Sequence, residues 1–355
     1  MNQLQSDAKI GKLLDTLINS FFEQSIAAAT RIDASYRHLW ESLYGLIRSG
    51  GKRLRPQMTI MAYQAFGGKD IDKIIPIAAA QELLHFSLLI HDDVIDRDYV
   101  RYGVPNIAGR YKVSYSKYVA TPDDQTHYAH SAAVLGGDLM LSGAYQLVGT
   151  SNLSDNQKAL AQGYLAQGIF EVAGGELLDT ELSFIPYNKG DALKVAKYKT
   201  ASYSFISPLM TGAEIAGIGE SKKTALHDYA LSLGIAYQLV DDLLGVFGDE
   251  EETGKSVSSD IVEGKRTFLI ERALSSFSDS EKAVFMLAFG NPLATAMEVK
   301  NIKILLETSG AREATEKKIN EYVISANKAL NSLDLEAEHY EKFLAFITKV
   351  TERSS

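Results

Sequence analysis

The chain has 355 residues, 46% apolar and 23% charged, an ordinary globular composition. A net charge of −9 argues against nucleic acid as the main partner, and the lack of cysteine excludes disulfides and thiolate metal sites while fitting a reducing cytoplasm. The opening "MNQLQSDAKIGKLL" lacks the build of a signal peptide and no apolar run reaches about eighteen residues, so a cytoplasmic chain without a transmembrane segment is expected.

Helical periodicity dominates from the start. In "IGKLLDTLINSFFEQSIAAA", Ile10, Leu13, Leu14, Leu17, Ile18 and Phe21 recur at three-and-four spacing. Helices are predicted over roughly 35–48 and 56–66, and the turn around Gly50 between them carries "GKRLRP", a basic cluster in an acidic chain. "IIPIAAAQELLHFSLLIHDDVID" is apolar nearly all round, as a helix buried in a bundle is. Gly103 to about Tyr128, rich in Tyr, Ser, Lys and Asp, reads as a functional loop. Helices follow over roughly 130–150, 155–183, 188–218 and 223–248. A second loop, Gly248 to Arg266, precedes helices over roughly 266–275, 279–289, 311–331 and 335–352. Strand-like alternation is scarce and no Gly/Ser/Pro-rich linker divides the chain. The fold class is all-α, one helical bundle domain over residues 1–355.

Two stretches echo each other. "LLIHDDVID" and "YQLVDDLLG" each run an apolar helix into an aspartate pair. Asp92, Asp93 and Asp96 fall side by side at three-and-four spacing, and like charges so placed repel unless a cation offsets them. Carboxylate oxygens are hard ligands suited to Mg²⁺, which keeps several waters and bridges to substrate phosphates. Asp241 and Asp242 repeat the pattern, so two facing helices are expected to hold Mg²⁺ ions with a diphosphate between them. Lys52, Arg53 and Arg55 flank a Gly-Gly turn, whose amides and cations suit a second phosphate group. Lys199, Lys255 and Lys265 are cations elsewhere, Asp179 lies on a mid-chain helix one turn beyond Glu176, and Gln238 is one turn before Asp241.

In this combination the sequence resembles the trans-isoprenyl diphosphate synthases, or polyprenyl synthetases, over nearly the whole chain. "GGKRLRP" is similar to the family's GGKxxRP, "HDDVID" to its first aspartate-rich motif, and "GIAYQLVDDLLGVFGDEEETGKS" to its second region. The resemblance implies an isoprenoid synthase fold with a central active-site cavity, a homodimer, and chain elongation of an allylic diphosphate (dimethylallyl, geranyl or farnesyl) by isopentenyl diphosphate. It implies Mg²⁺ on Asp92 and Asp96, supported by Asp93, and on Asp241, supported by Asp242. Arg101, Lys199, Lys255 and Lys265 are then expected on the allylic diphosphate. Lys52, Arg55 and His85 are expected on isopentenyl diphosphate, Asp179 and Gln238 lining the site, and Lys199 and Thr200 near the developing carbocation. His91 reads as structural.

The pattern is broken in places. Tyr102 stands where the family usually has a second arginine, Gly245 ends the second motif in place of an aspartate, and Glu176 stands where glutamine is common. The segment from Asn106 to His130 is longer than typical. In the family, bulky aromatics four and five positions before the first aspartate form a floor that favours farnesyl products. Here those positions are Leu88 and Ser87, with Leu84 and Gln81 deeper, so a product of geranylgeranyl length or longer is expected. The rival readings are a farnesyl synthase, a class I terpene cyclase, a non-catalytic partner subunit, and a di-metal carboxylate bundle built on Glu82/His85 and Glu336/His339. The basic turn and the lack of an Asn/Ser/Glu triad around Asp241 argue against the cyclase, the kept aspartates against the partner subunit, and the place of Glu336/His339 in a charged terminal helix against the di-metal bundle.

Overall fold

The computed structural model describes residues 3–184, 191–248 and 259–351. Its contacts divide the chain into two compact units: Met1–Leu165 with Thr211–Ala216, and Ala166–Met210 with Gly217–Ser355.

The first unit contains α1 (Gln3–Thr30), α2 (Ala34–Ser49), α3 (Leu54–Ala65), α4 (Ile71–Ile95), a hairpin of β1 (Val100–Arg101) and β2 (Val104–Pro105), α5 (Ile107–Ser114) and α6 (Pro122–Gly149). Local chemistry sets the starts. Asp33 accepts from the Ser35 N–H at the head of α2, and Thr121 accepts from the Asp124 N–H ahead of α6, whose first residue is Pro122. Helix α4 is buried on several faces and packs on α1, α3 and α6. Phe21, Phe22, Trp40 and Tyr44 join α1 to α2 in an aromatic cluster.

Helix α7 (Asp155–Leu182) begins in the first unit and ends in the second; α9 (Ser207–Ala216) makes the reverse crossing. Between them lie α8 (Asp191–Val195) and an eleven-residue π-helix (Ala196–Ile206). The second unit continues with α10 (Glu220–Phe247), α11 (Ser259–Glu263), α12 (Phe268–Ser276), α13 (Asp279–Phe285), α14 (Ala296–Thr308), α15 (Ala311–Asn331) and α16 (Ala337–Thr351). Helix α10 is its centre, packed on the π-helix, α12, α15 and α16. One core gathers Val246, Leu269, Phe285 and Ile302, and another Ala201, Ile235, Leu239 and Phe268.

Two expectations are corrected. Gly103–Tyr128 is not a loop: it holds the end of the hairpin, all of α5 and the first turns of α6. Residues 296–308 form a helix the reading passed over, opened by a capping box between Thr295 and Glu298. Helices α4 and α10 are long and apolar enough to cross a membrane by length and composition, but 72% and 50% of their most apolar windows are buried inside the protein, as in core helices.

Candidate active site

In the first unit, the chemistry gathers at the end of α4. Asp92 and Asp96, one helical turn apart, each bring a carboxylate oxygen within 4.8 Å of the other's. Asp93 points differently. Its buried carboxylate accepts from Arg101, Nε at 2.8 Å and Nη2 at 2.6 Å, and the same Nη2 reaches Asp92 at 3.3 Å. Burial pushes the Asp93 carboxyl up to about 6, against the pull of the guanidinium. Arg101, expected on a diphosphate, is therefore engaged with the aspartates it follows.

Arg101 is held in a hairpin fastened by the start of the long Asn106–His130 segment. Its hairpin pairs Val100 with Pro105 and Arg101 with Val104, and the turn residues Tyr102 and Gly103 both have positive φ, 54° and 73°. This is the backbone of a tight primed hairpin turn. Asn106 then fastens the hairpin: its N–H donates to the Tyr99 carbonyl at 3.0 Å and its Nδ2 to the Asp98 carbonyl at 2.8 Å. Its Oδ1 caps α5 by accepting from the Gly109 N–H at 2.9 Å, and Arg110 Nε donates to the Pro105 carbonyl at 2.9 Å. Gly109 is required, because a Cβ there meets the Tyr99 carbonyl oxygen at 2.2 Å. Lys112 lies 4.1 Å over the Tyr99 ring, and His130 stacks on that ring.

The basic turn divides its labour. Arg53, left-handed at φ 50°, donates to Glu82 at 2.7 Å and to the Ile47 carbonyl at 3.0 Å, so it holds the turn to α2 and α4. Lys52 is exposed, and Arg55 is half-buried on the first turn of α3. His85 on α4 is held well below the usual imidazole range by burial and by the facing Arg55, Arg101 and Arg53, so it is neutral at pH 7. His91 Nε2 lies 3.3 Å from the Val134 carbonyl and 3.5 Å from Asp138, in space left by Gly137, consistent with its structural reading. Leu84 and Ser87 are buried and Leu88 partly so; Gln81 donates to Thr211 on α9 at 3.4 Å.

In the second unit, Lys199 Nζ lies 2.7 Å from Asp179 and 2.9 Å from Glu176, both on α7. Gly175 makes this possible, since a Cβ there meets the Lys199 backbone nitrogen at 2.3 Å. The Thr200 hydroxyl donates to Gln238 Oε1, and Gln238 Nε2 donates to Asp242 at 2.8 Å. Asp242 is buried, which drives its carboxyl well above the usual range, while Asp241 beside it is exposed. Lys265 lies 3.0 Å from Glu263 and 4.0 Å from Asp260. Lys255 lies outside the described residues.

The sequence profile of the polyprenyl synthetase family matches residues 37–306. The chain belongs to that family. It is 29% identical over 346 residues to the geranylgeranyl diphosphate synthase of Sulfolobus acidocaldarius, covering 94% of this chain and 98% of that protein. It is 32% identical over 272 residues to the short chain isoprenyl diphosphate synthase of Methanocaldococcus jannaschii, covering 76% and 77%. Its structure is similar, with a TM-score of 0.92, to that of the geranylgeranyl pyrophosphate synthase of Corynebacterium glutamicum complexed with isoprenyl diphosphate and magnesium, at 30% identity and coverage of 98% and 99%. The fold is accordingly the all-α isoprenoid synthase fold.

Within this polyprenyl synthetase, Asp92 and Asp96 bring hard carboxylate oxygens close enough together to suit Mg²⁺ and Asp241 is exposed, whereas Asp93 and Asp242 are buried against Arg101 and Gln238. Asp260 was missed from the sequence. Its Oδ2 lies 2.1 Å from where a Cβ of residue 245 would stand, so the glycine that breaks the second motif makes room for a carboxylate from α11. That glycine was the signal. Asn106 and Gly109 were missed as well; the Asn106 cap preceding Ile107 was the sign available.

Proposed function

We propose that this trans-prenyltransferase joins isopentenyl diphosphate to an allylic diphosphate (dimethylallyl, geranyl or farnesyl), head to tail and trans. It releases pyrophosphate and a polyprenyl diphosphate of geranylgeranyl length or longer, acting as one isoprenoid synthase domain over residues 1–355. The observation that carries the reading is the first unit's combination of two adjacent carboxylates, Asp92 and Asp96, with a glycine turn bearing Lys52 and Arg55 beside a neutral His85.

Asp92, Asp96 and Asp241 are the groups that hold Mg²⁺, and the bound ions supply charge neutralisation to the allylic diphosphate. Arg101 orients Asp92 and Asp93, and with Lys199, Lys255 and Lys265 it meets negative charge growing on the departing pyrophosphate as the carbon–oxygen bond ionises. Thr200 and Gln238, locked together and to Asp242, turn oxygen lone pairs toward the allylic cation. Asp179 and Glu176 keep the Lys199 ammonium in position. Lys52 and Arg55 bind isopentenyl diphosphate through charge, and His85 through a neutral N–H. The isopentenyl double bond attacks the cation, and a proton then leaves to pyrophosphate.

Ser87 and Leu88 in place of bulky aromatics support a long tail pocket, with Leu84 beneath them. Cytoplasmic location and homodimerisation belong to the same reading. Val134 and Leu135 on α6, and separately Phe170 and Leu177 on α7, are exposed apolar side chains suited to cover by a second copy. The test is incubation of the purified chain with isopentenyl diphosphate, each allylic primer and Mg²⁺, with mass analysis of products. Isopentenyl diphosphate is expected to be consumed and the products to reach at least geranylgeranyl length. A chelator is expected to stop turnover. An allylic substrate consumed alone points instead to a cyclase, and farnesyl diphosphate as sole product overturns the length.

A further inference from the structure

Leu293 stands 87% exposed between α13 and α14, and Met286, Leu287 and Met297 around it are 55%, 56% and 66% exposed. From Ala283 to Met297 the chain carries no charged residue. Phe285, Ala288, Phe289 and Val299 lie in the core beneath, so the exposed side chains stand on a packed base. The polar groups of this connection are already engaged. Every N–H from Met286 to Thr295 donates within the protein, at 2.7 to 3.4 Å, and Pro292 has none to place. Gly290, at φ 71°, sends its N–H back to the Ile261 carbonyl of α11 at 2.9 Å. Asn291 uses both ends of its amide, Nδ2 donating to the Leu287 carbonyl at 2.9 Å and Oδ1 accepting from the Leu293 N–H at 3.0 Å. The Thr295 hydroxyl donates to Glu298 at 2.8 Å. Charge resumes on either side. Glu281 and Glu298 turn their carboxylates into the capping boxes of α13 and α14, and Asp279 lies at the far end of α13. Lys282 and Lys300 are exposed, with no ion pair among the described residues.

We propose that the connection between α13 and α14 docks on the surface of a phospholipid bilayer. Met286, Leu287, Leu293 and Met297 enter the boundary between headgroups and acyl chains, while Lys282 and Lys300 meet lipid phosphates. Four large apolar side chains exposed within twelve residues exceed the scatter of a plain surface and mark an interaction site. The chemistry of the connection selects the partner. A protein interface tolerates a wet, polar rim, so it does not ask that each backbone donor be satisfied beforehand. A lipid phase offers no such partner, and a segment entering it must bring none unpaired and no charge. Residues 283–297 meet both demands at their N–H groups and side chains, and the two free ammonium groups lie at the ends, where headgroup phosphates would be. The chain's net charge of −9 opposes an anionic surface as a whole, so apolar insertion leads and the lysines supply the local attraction. The inference stands apart from the elongating activity proposed above.

The experiment is cosedimentation of the full-length chain with vesicles of phosphatidylcholine, and of phosphatidylcholine mixed with phosphatidylglycerol, at low and high salt. Wild type is compared with the pair Leu293→Asn and Met297→Gln and with the pair Lys282→Gln and Lys300→Gln. Urea unfolding and sedimentation equilibrium of each protein report its fold and its oligomeric state. Wild type is expected to bind both kinds of vesicle. The apolar pair is expected to weaken binding to both at least tenfold, the scale of withdrawing buried apolar side chains. The lysine pair is expected to weaken binding to the mixed vesicles about tenfold at low salt and far less at high salt. All three proteins are expected to share one urea midpoint, since every substituted side chain is exposed. Wild type that binds neither vesicle overturns the proposal, as does either variant pair binding as tightly as wild type. A change of oligomeric state in the apolar pair, with vesicle binding intact, assigns the surface to a second copy of the chain and overturns it as well.

Discussion

Replacing Arg101 with alanine tests whether the hairpin exists to serve the first aspartates. The Asp93 side chain is 3% exposed and receives two nitrogens of Arg101, at 2.6 and 2.8 Å. Breaking a buried ion pair from one side costs about 3–5 kcal/mol. Partial exposure of Asp92 and Arg101, 24% and 12%, places the expected loss near the lower end, about 3 kcal/mol at pH 8. That loss equals a rise of about two units in the Asp93 pKa, from about 6 in the wild type to about 8. The sign follows from linkage. A carboxyl raised above its unfolded value contributes most stability below the unfolded pKa and loses it as pH climbs through the folded one. Acidification from pH 8 to 5.5 should therefore return about 2 kcal/mol of the variant's deficit relative to the wild type. Urea unfolding in chelator at the two pH values measures both quantities. A deficit that ignores pH, or one under about 1 kcal/mol at pH 8, refutes the account. Arg101→Ala combined with Asp93→Asn should be more stable than Arg101→Ala alone, because an asparagine needs no counter-charge.

Gly109→Ala forces a methyl to 2.2 Å from the Tyr99 carbonyl oxygen and is expected to cost about 2 kcal/mol in urea unfolding and to raise the KM of both substrates. Wild-type kinetics in a folded Gly109→Ala would show that α5 does not position the hairpin. His85 is held neutral, so the unfolded chain takes up a proton below about pH 6.5 that the folded one refuses. Stability should therefore fall as pH drops through that window, and His85→Gln should lack that share of the slope. Ser87→Phe adds bulk at a buried position and should shorten the product toward farnesyl diphosphate by mass analysis. Unchanged product length would place the tail elsewhere.

The site was legible where chemistry clusters in sequence and obscure where it is assembled by packing. The aspartate pairs and the glycine turn could be read directly, and the Gln238–Asp242 contact followed from one helical turn of spacing. The commitment of Arg101 to Asp93 could not, because a salt bridge across a hairpin depends on the turn, and the turn depends on Asn106 and Gly109 further along. Helix α5 was missed for a related reason. Eight residues are too few to be helical by propensity alone, and this helix is held by its cap and by packing on α6 and α2. Asp260 comes near Gly245 only after the chain has left α10 and returned as α11.

The π-helix at Ala196–Ile206 carries a consequence for any attempt to transplant or trim this part of the chain. Its end is closed by the Ser207 N–H on the Ser202 carbonyl, five residues back instead of four. Removing a residue would turn everything beyond it by about 100°, the rotation each residue adds in an α-helix. Lys199 and Thr200 would then keep their bearings on α7 and α10 only if Phe205 and Leu209 lost theirs in the core. The widened helix thus sets the register between its two ends. Deletions here should be far less tolerated than substitutions, and a chimera joined within 196–206 will succeed or fail on length before identity.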